Sequence, residues 1–122
     1  MKQLTAICIG AGGRGRGYSN IMAEMPEKFK LIGVADPVAA AREVLRENFN
    51  LPAENCCKSW EEILSRPKFA DIAIIATMDD MHYGPAMKAI SLGYDILLEK
   101  PIAQTVGECA DIAKAAHEKG VK

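Results

Sequence analysis

Short runs of consecutive apolar residues alternate along the chain with longer stretches in which apolar positions recur every three or four residues. Leu4 to Ile9, Leu31 to Ala35, Ile72 to Ala76 and Ile96 to Leu98 are the runs, with a shorter one near Cys56 to Lys58. Runs without in-out alternation belong to strands buried on both faces, as in a parallel sheet covered by helices. The intervening stretches carry the stripes Tyr18, Ile21, Met22, Met25; Val38, Ala41, Leu45, Phe49; Tyr83, Ala86, Met87, Ile90; and Cys109, Ile112, Ala113, Ala116. Each gives a helix one face to lay on the sheet. Ser59 with Glu62 and Thr105 with Glu108 have the spacing of capping boxes, while Gly93 and Gly120 stand where helices should stop. The predicted order is βαβαβαβαβα, an open doubly wound α/β sheet in a single domain over residues 1–122, with no repeat and no internal linker.

The turn after the first strand sharpens this reading. Gly10-Ala11-Gly12-Gly13-Arg14-Gly15 is a G-x-G-x-x-G between a predicted strand and a predicted helix, and Asp36 follows Gly15 by 21 residues at the end of the second strand. Strand, glycine turn, helix and distal acid together make the dinucleotide fingerprint of a Rossmann-type fold. Gly10 permits the tight turn, Gly12 the approach of a pyrophosphate to the backbone, and Gly15 the close packing of helix on strand. The helix start, with Gly13 and Arg14, then offers free N–H groups and the positive end of its dipole to phosphate. Arg14 and Arg16 either pair with phosphate or sit solvated at that helix start.

Asp36 has two compatible readings. With Pro37 it makes a good N-cap and first-turn pair for the second helix, and its carboxylate can accept hydrogen bonds from the adenosine ribose. The 2′-phosphate of NADP would meet a like charge there. Unit charges 4 Å apart interact by about 4 kcal/mol at an effective dielectric near 20, so even a screened fraction favours NAD by about tenfold. NAD is therefore the expected cofactor, with NADP second. In the usual strand order 3-2-1-4-5-6 the sheet would be one strand short, which suggests a truncated piece of a larger enzyme whose fifth strand is left as an apolar edge open to pairing.

Composition narrows the partners. The 122 residues carry a net charge of -1, 49% hydrophobic and 25% charged positions, with no basic or low-complexity block, so nothing points to nucleic acid. The apolar runs are strand-sized, far below the roughly 20 residues of a membrane helix. The N-terminus lacks the pattern of a secretory signal, and a cytoplasmic location is expected. The 4 cysteines show no C-x-x-C spacing and read as reduced side chains, with no metal site.

A second constellation follows the fourth and fifth strands: Thr77-Met78-Asp79-Asp80-Met81-His82 and Glu99-Lys100-Pro101. Both leave the carboxyl edge of the sheet, where open α/β sheets bind ligands, so both should flank a nicotinamide. Lys100 is the catalytic candidate. A neighbouring oxidised nicotinamide and partial desolvation favour its neutral amine, which could take a hydroxyl proton as hydride leaves the carbon. Composition alone makes Lys100 a solvated charge. His82 is either a cofactor contact or a helix-start residue with a satisfied ring, and Asp79 or Asp80 is a cap.

These residues resemble the N-terminal domain of the Gfo/Idh/MocA oxidoreductases, the family of glucose-fructose oxidoreductase and inositol dehydrogenase. The resemblance runs over the whole chain and rests on Gly10 to Gly15, Asp36-Pro37, Thr77 with His82, and especially Gly93-Tyr94-Asp95-Ile96-Leu97-Leu98-Glu99-Lys100-Pro101. It implies a lysine at Lys100 that touches substrate and nicotinamide ribose, with Glu99 and Pro101 shaping its loop. It further implies a second, α+β domain that supplies a catalytic histidine, most sugar-binding residues and a sheet for homo-oligomerisation. Thr77-Met78-Asp79 departs from the family's frequent Thr-Pro-Asn. The expected activity is hydride transfer between NAD and a hydroxyl of a sugar, cyclitol or related small molecule. A glycoside hydrolase acting through transient oxidation and a non-catalytic cofactor-binding regulator are the alternatives.

Overall fold

The computed structural model describes residues 3–77, 82–99 and 105–121, and of residues 13–16 the backbone alone. Strands β1 (Leu4–Ile9), β2 (Phe29–Ala35), β3 (Cys56–Cys57), β4 (Ile72–Ile75) and β5 (Asp95–Leu98) alternate with helices α1 (Gly13–Ala23), α2 (Ala39–Phe49), α3 (Trp60–Leu64), α4 (Tyr83–Ser91) and α5 (Val106–Lys119). A 3-10 turn, Ala53–Asn55, precedes β3. The strands are parallel in the order β3-β2-β1-β4-β5. Among the described residues this is the doubly wound Rossmann order as far as its fifth strand, as expected. Among the described residues β5 pairs with β4 alone and forms the sheet edge, where Leu97 is exposed.

The runs of apolar residues divide by strand alternation between two cores. Ile7, Ile9, Ala73 and Ile75 point to the face covered by α3 and α4, where Ile63, Leu64, Ala89 and Tyr94 complete one cluster. Ala6, Cys8 and Ile74 point to the opposite face with Met22 and Leu45. The smallness of Ala6 and Cys8 lets α1 and α2 lie close to β1. A third cluster, built from Ala86, Ile90 and Ile112, joins α4 to α5.

The helical stripes hold in α4 and need correction elsewhere. In α1, Ile21 is exposed while Ser19 is fully buried, because the helix turns Ser19 and Met22, with Tyr18 beside them, to its inner side. Val38 is exposed as well, since it precedes α2 as its N-cap instead of lying on its inner face. In α5, Ala113 is exposed and Ala115 and Ala116 pack inward. Both capping boxes form: the Ser59 hydroxyl accepts from the Glu62 amide at 3.1 Å and Thr105 from the Glu108 amide at 3.0 Å. Gly120 ends α5 in the left-handed conformation at φ 76°.

Leu45 is the single side chain that α2 buries fully, in the cluster with Ala6, Cys8 and Ile74. Leu45→Ala should lower unfolding stability by about 2–5 kcal/mol, the usual cost of emptying such a site. Denaturant titration of both proteins, with unchanged slope, checks this.

Candidate functional site

The carboxyl ends of β1, β2 and β4 open onto a cleft of about 350 Å³. It lies where the connections from β1 and β4 run to opposite sides of the sheet, the switch point at which such sheets take ligands. Gly10, Gly12, Asp36, Pro37 and Thr77 line it.

Gly10 forms the turn under the strictest constraint. Its φ is +97°, and a Cβ there would lie 2.5 Å from the Ala76 carbonyl oxygen, so the chain leaving β1 passes directly against the chain leaving β4. Gly12 differs. It is the N-cap of α1 at φ -75° and ψ -165°, a conformation open to any residue, and a Cβ would meet nothing within 4 Å. The protein itself thus gives Gly12 room for a side chain that the sequence withholds, directly before the first turn of α1. Gly13 and Gly15 continue the helix backbone.

Asp36 joins this turn to β2. One carboxylate oxygen, Oδ2, accepts from the Ala11 amide at 2.7 Å, and Oδ1 accepts from the Val38 amide at 2.8 Å. The second bond is an Asx turn ahead of the helix, so the expectation that Asp36 caps α2 with Pro37 in its first turn is corrected: the cap is Val38 and the helix begins at Ala39. The carbonyl of Asp36 accepts from Arg42 Nη1 at 2.7 Å, which draws a cation to the same corner.

The far side of the cleft comes from residues the sequence reading passed over. Lys58 and Ser59, between β3 and α3, and Trp60, the first residue of α3, also line it. Trp60 packs on α4: an added Cβ at Gly84 would come within 2.9 Å of Trp60 Cζ2. The capping box at Ser59 marked the helix start and so, indirectly, the residue that the cap presents. Nothing local to the sequence marked Trp60 as a wall of the cleft.

His82 is fully buried, and its Nε2 lies 2.9 Å from the Thr77 carbonyl oxygen, so this nitrogen carries a proton. It braces the two ends of the β4–α4 connection and stands as the N-cap of α4. Glu99 is half-buried at the end of β5; its amide donates to the Ile75 carbonyl at 3.0 Å, and its carboxylate accepts from the Tyr18 hydroxyl. Lys100 and Pro101, with Met78, Asp79, Asp80 and Met81, lie outside the described residues, as does the Arg14 side chain.

Beneath the turn, Cys8 Sγ donates to the Gly10 carbonyl at 3.3 Å. Burial pushes this thiol up to about 12, against a smaller opposite pull from Ser19 and with a further push from Asp36. Among the described residues the four cysteines are free, and no group of three His, Cys, Asp or Glu is placed to hold a metal. No described helix is long and apolar enough to cross a membrane.

Comparison with known proteins agrees with this architecture. The chain is 31% identical to levoglucosan dehydrogenase of Pseudarthrobacter phenanthrenivorans, over 99% of its own length and 32% of that protein's. It is 30% identical to 2,7-anhydro-N-acetylneuraminate hydratase of Escherichia coli, over 93% of its length and 28% of the relative's. Its fold superposes on the WlbA dehydrogenase of Bordetella pertussis, solved with NADH and UDP-GlcNAcA, with a TM-score of 0.89 at 20% identity, covering 100% of this chain and 35% of that one. The chain thus spans about a third of the length of these proteins. Residues 4–122 match the oxidoreductase family described by its NAD-binding Rossmann fold. The chain belongs to the Gfo/Idh/MocA oxidoreductase family and carries its NAD-binding Rossmann domain.

Proposed function

We propose that residues 1–122 form one dinucleotide-binding domain and supply the cofactor half of an enzyme that moves hydride between NAD and a hydroxyl-bearing carbon of a sugar, cyclitol or related small molecule. The observation that carries this reading is Gly12, whose lack of a side chain the fold does not require and a pyrophosphate does. The donor set fits such a group: the first turn of α1 presents amides without helical partners, suited to phosphate. Asp36 keeps lone pairs on both oxygens beyond the Ala11 and Val38 amides, suited to ribose hydroxyls. Trp60 and Pro37 offer apolar surface suited to an adenine ring.

When bound, NAD supplies the hydride acceptor. The chain's own contribution is to bind, orient and move a proton. Thr77, His82 and Glu99 frame the nicotinamide end in this reading, and Lys100 takes the hydroxyl proton, a role that rests on the Glu99-Lys100-Pro101 resemblance. The substrate pocket, its remaining catalytic groups and any homo-oligomer contacts belong to the rest of the longer enzyme. A second reading, in which a transient oxidation ends without net redox change, is favoured by the hydratase among the relatives. Supplying polyols and glycosides to the full-length enzyme separates the two: NADH accumulates in the first and a modified sugar without NADH in the second.

The two glycines should respond in opposite ways. Gly12→Ala should fold with stability within about 1 kcal/mol of the parent, the small difference between glycine and alanine, and lose NAD affinity by at least tenfold. Gly10→Ala should instead lose fold stability, by about 1–3 kcal/mol or more, through its positive φ and the Ala76 contact. Thermal melts and calorimetric titration of each variant measure both effects.

Cofactor choice turns on Asp36 against Arg42 and Lys58. The parent chain should prefer NAD over NADP by about tenfold. Asp36→Asn keeps an acceptor for one backbone amide, removes the charge, leaves both cations and should erase or invert the preference. The quenching of Trp60, the chain's one tryptophan, provides the binding signal. Unchanged preference in Asp36→Asn would remove Asp36 from the selection.

Lys100→Ala in the full-length enzyme should slow turnover by roughly 10²-fold to 10⁴-fold, the usual effect of losing a general acid or base. Residues 1–122 alone should bind NAD and turn over nothing. Steady-state assays with the two forms test both statements.

A further inference from the structure

A side-chain link between elements far apart in sequence crosses the carboxyl edge of the sheet. Tyr18, on the second turn of α1, donates its hydroxyl to Glu99 Oε2 at the end of β5, although 81 residues separate them. The Glu99 amide is already held by Ile75 of β4, so its backbone is fixed to the sheet while its carboxylate reaches back toward the glycine helix. The ring of Tyr18 packs against the cluster containing Cys8, Met22 and Ile74, which fixes the direction in which the hydroxyl projects. Both partners are partly buried, where a charge-assisted hydrogen bond is stronger than in open water.

The position of each partner gives the link a use beyond packing. Tyr18 lies five residues past Gly13, where α1 begins directly after Gly12, which lines the cleft. Glu99 immediately precedes Lys100. The sequence pattern had assigned Tyr18 only to the inner stripe of a helix, and an apolar ring would serve that purpose without a hydroxyl. We propose that Tyr18 is a positioning residue: its hydroxyl seats Glu99, and through Glu99 the segment leading into Lys100, in response to occupancy of the α1 N-terminus. This rests on the reading of that N-terminus as the pyrophosphate site and of Lys100 as the proton carrier.

The physical step is modest. A helix is stiff over two turns, and an anion on its first turn fixes the amides there. Tyr18 moves with that helix. A carboxylate bonded to it loses freedom when the helix does, and the strand end bearing the carboxylate follows.

Amide hydrogen exchange of the 122-residue chain, with and without saturating NAD, tests this without any turnover. In the parent protein NAD should slow exchange over residues 10–17 and, by about tenfold, over residues 94–99. Tyr18→Phe keeps the ring and should keep the first response while losing most of the second. Glu99→Gln, which retains an oxygen to accept from Tyr18, should restore much of it, whereas Glu99→Ala, which leaves α1 unaltered, should resemble Tyr18→Phe. A merely structural role would lower protection of the free protein in Tyr18→Phe and leave the NAD-dependent difference intact, and that result overturns the proposal. Slowing over residues 10–17 alone in the parent overturns the link but leaves the cofactor site. No slowing in either segment overturns the site and the link together.

Discussion

The close passage of the chain leaving β1 over the chain leaving β4, with no room for a Cβ at Gly10, is the constraint from which the site follows. It turns the chain away from the sheet at the switch point, so α1 starts directly after Gly12 at the cleft. Asp36 then ties the turn to the end of β2 through the Ala11 amide. Three strand ends are thereby held in one arrangement, by the Gly10 passage, by the Gly10 amide on the Ala35 carbonyl and by the Asp36 carboxylate.

Much of this was legible in the sequence because it is local. Consecutive apolar residues in Leu4–Ile9 and Ile72–Ile75 announce strands buried on both sides, and the parallel order follows from the intervening helices. The glycine spacing and Asp36 announce the cleft. What the sequence did not carry is contact between distant segments. Trp60 reads as an ordinary first-turn residue until α4 places Gly84 against it, and Tyr18 reads as a helix stripe until β5 brings Glu99 beneath it. The misread stripe in α1 has the same origin: hydrophobicity favours Ile21 for the inner face, yet the docked helix turns Ser19 and Met22 inward and leaves Ile21 exposed.

Two of the polar residues singled out in the sequence also prove to have structural employment first. Asp36 accepts two backbone amides and His82 spans its own loop to Thr77. Such dual use orients these groups by bonds they make to the protein, which limits what a ligand would have to order on arrival. Removing one of these side chains would therefore disturb fold and binding together, and substitutions that keep the backbone bond while changing charge or shape are the informative ones.

The thiol of Cys8 carries a different consequence. Held protonated by burial beneath the Gly10 turn, it presents almost no thiolate to an oxidant or alkylating reagent at neutral pH, while Cys56 and Cys109 are partly accessible. Its modification must wait for β1 and α1 to separate, so the speed at which reagent enters Cys8 is a clock for the opening of the nucleotide-facing half of the domain. Oxidative damage in this protein would accordingly begin at the rim and reach the strand that builds the glycine turn last.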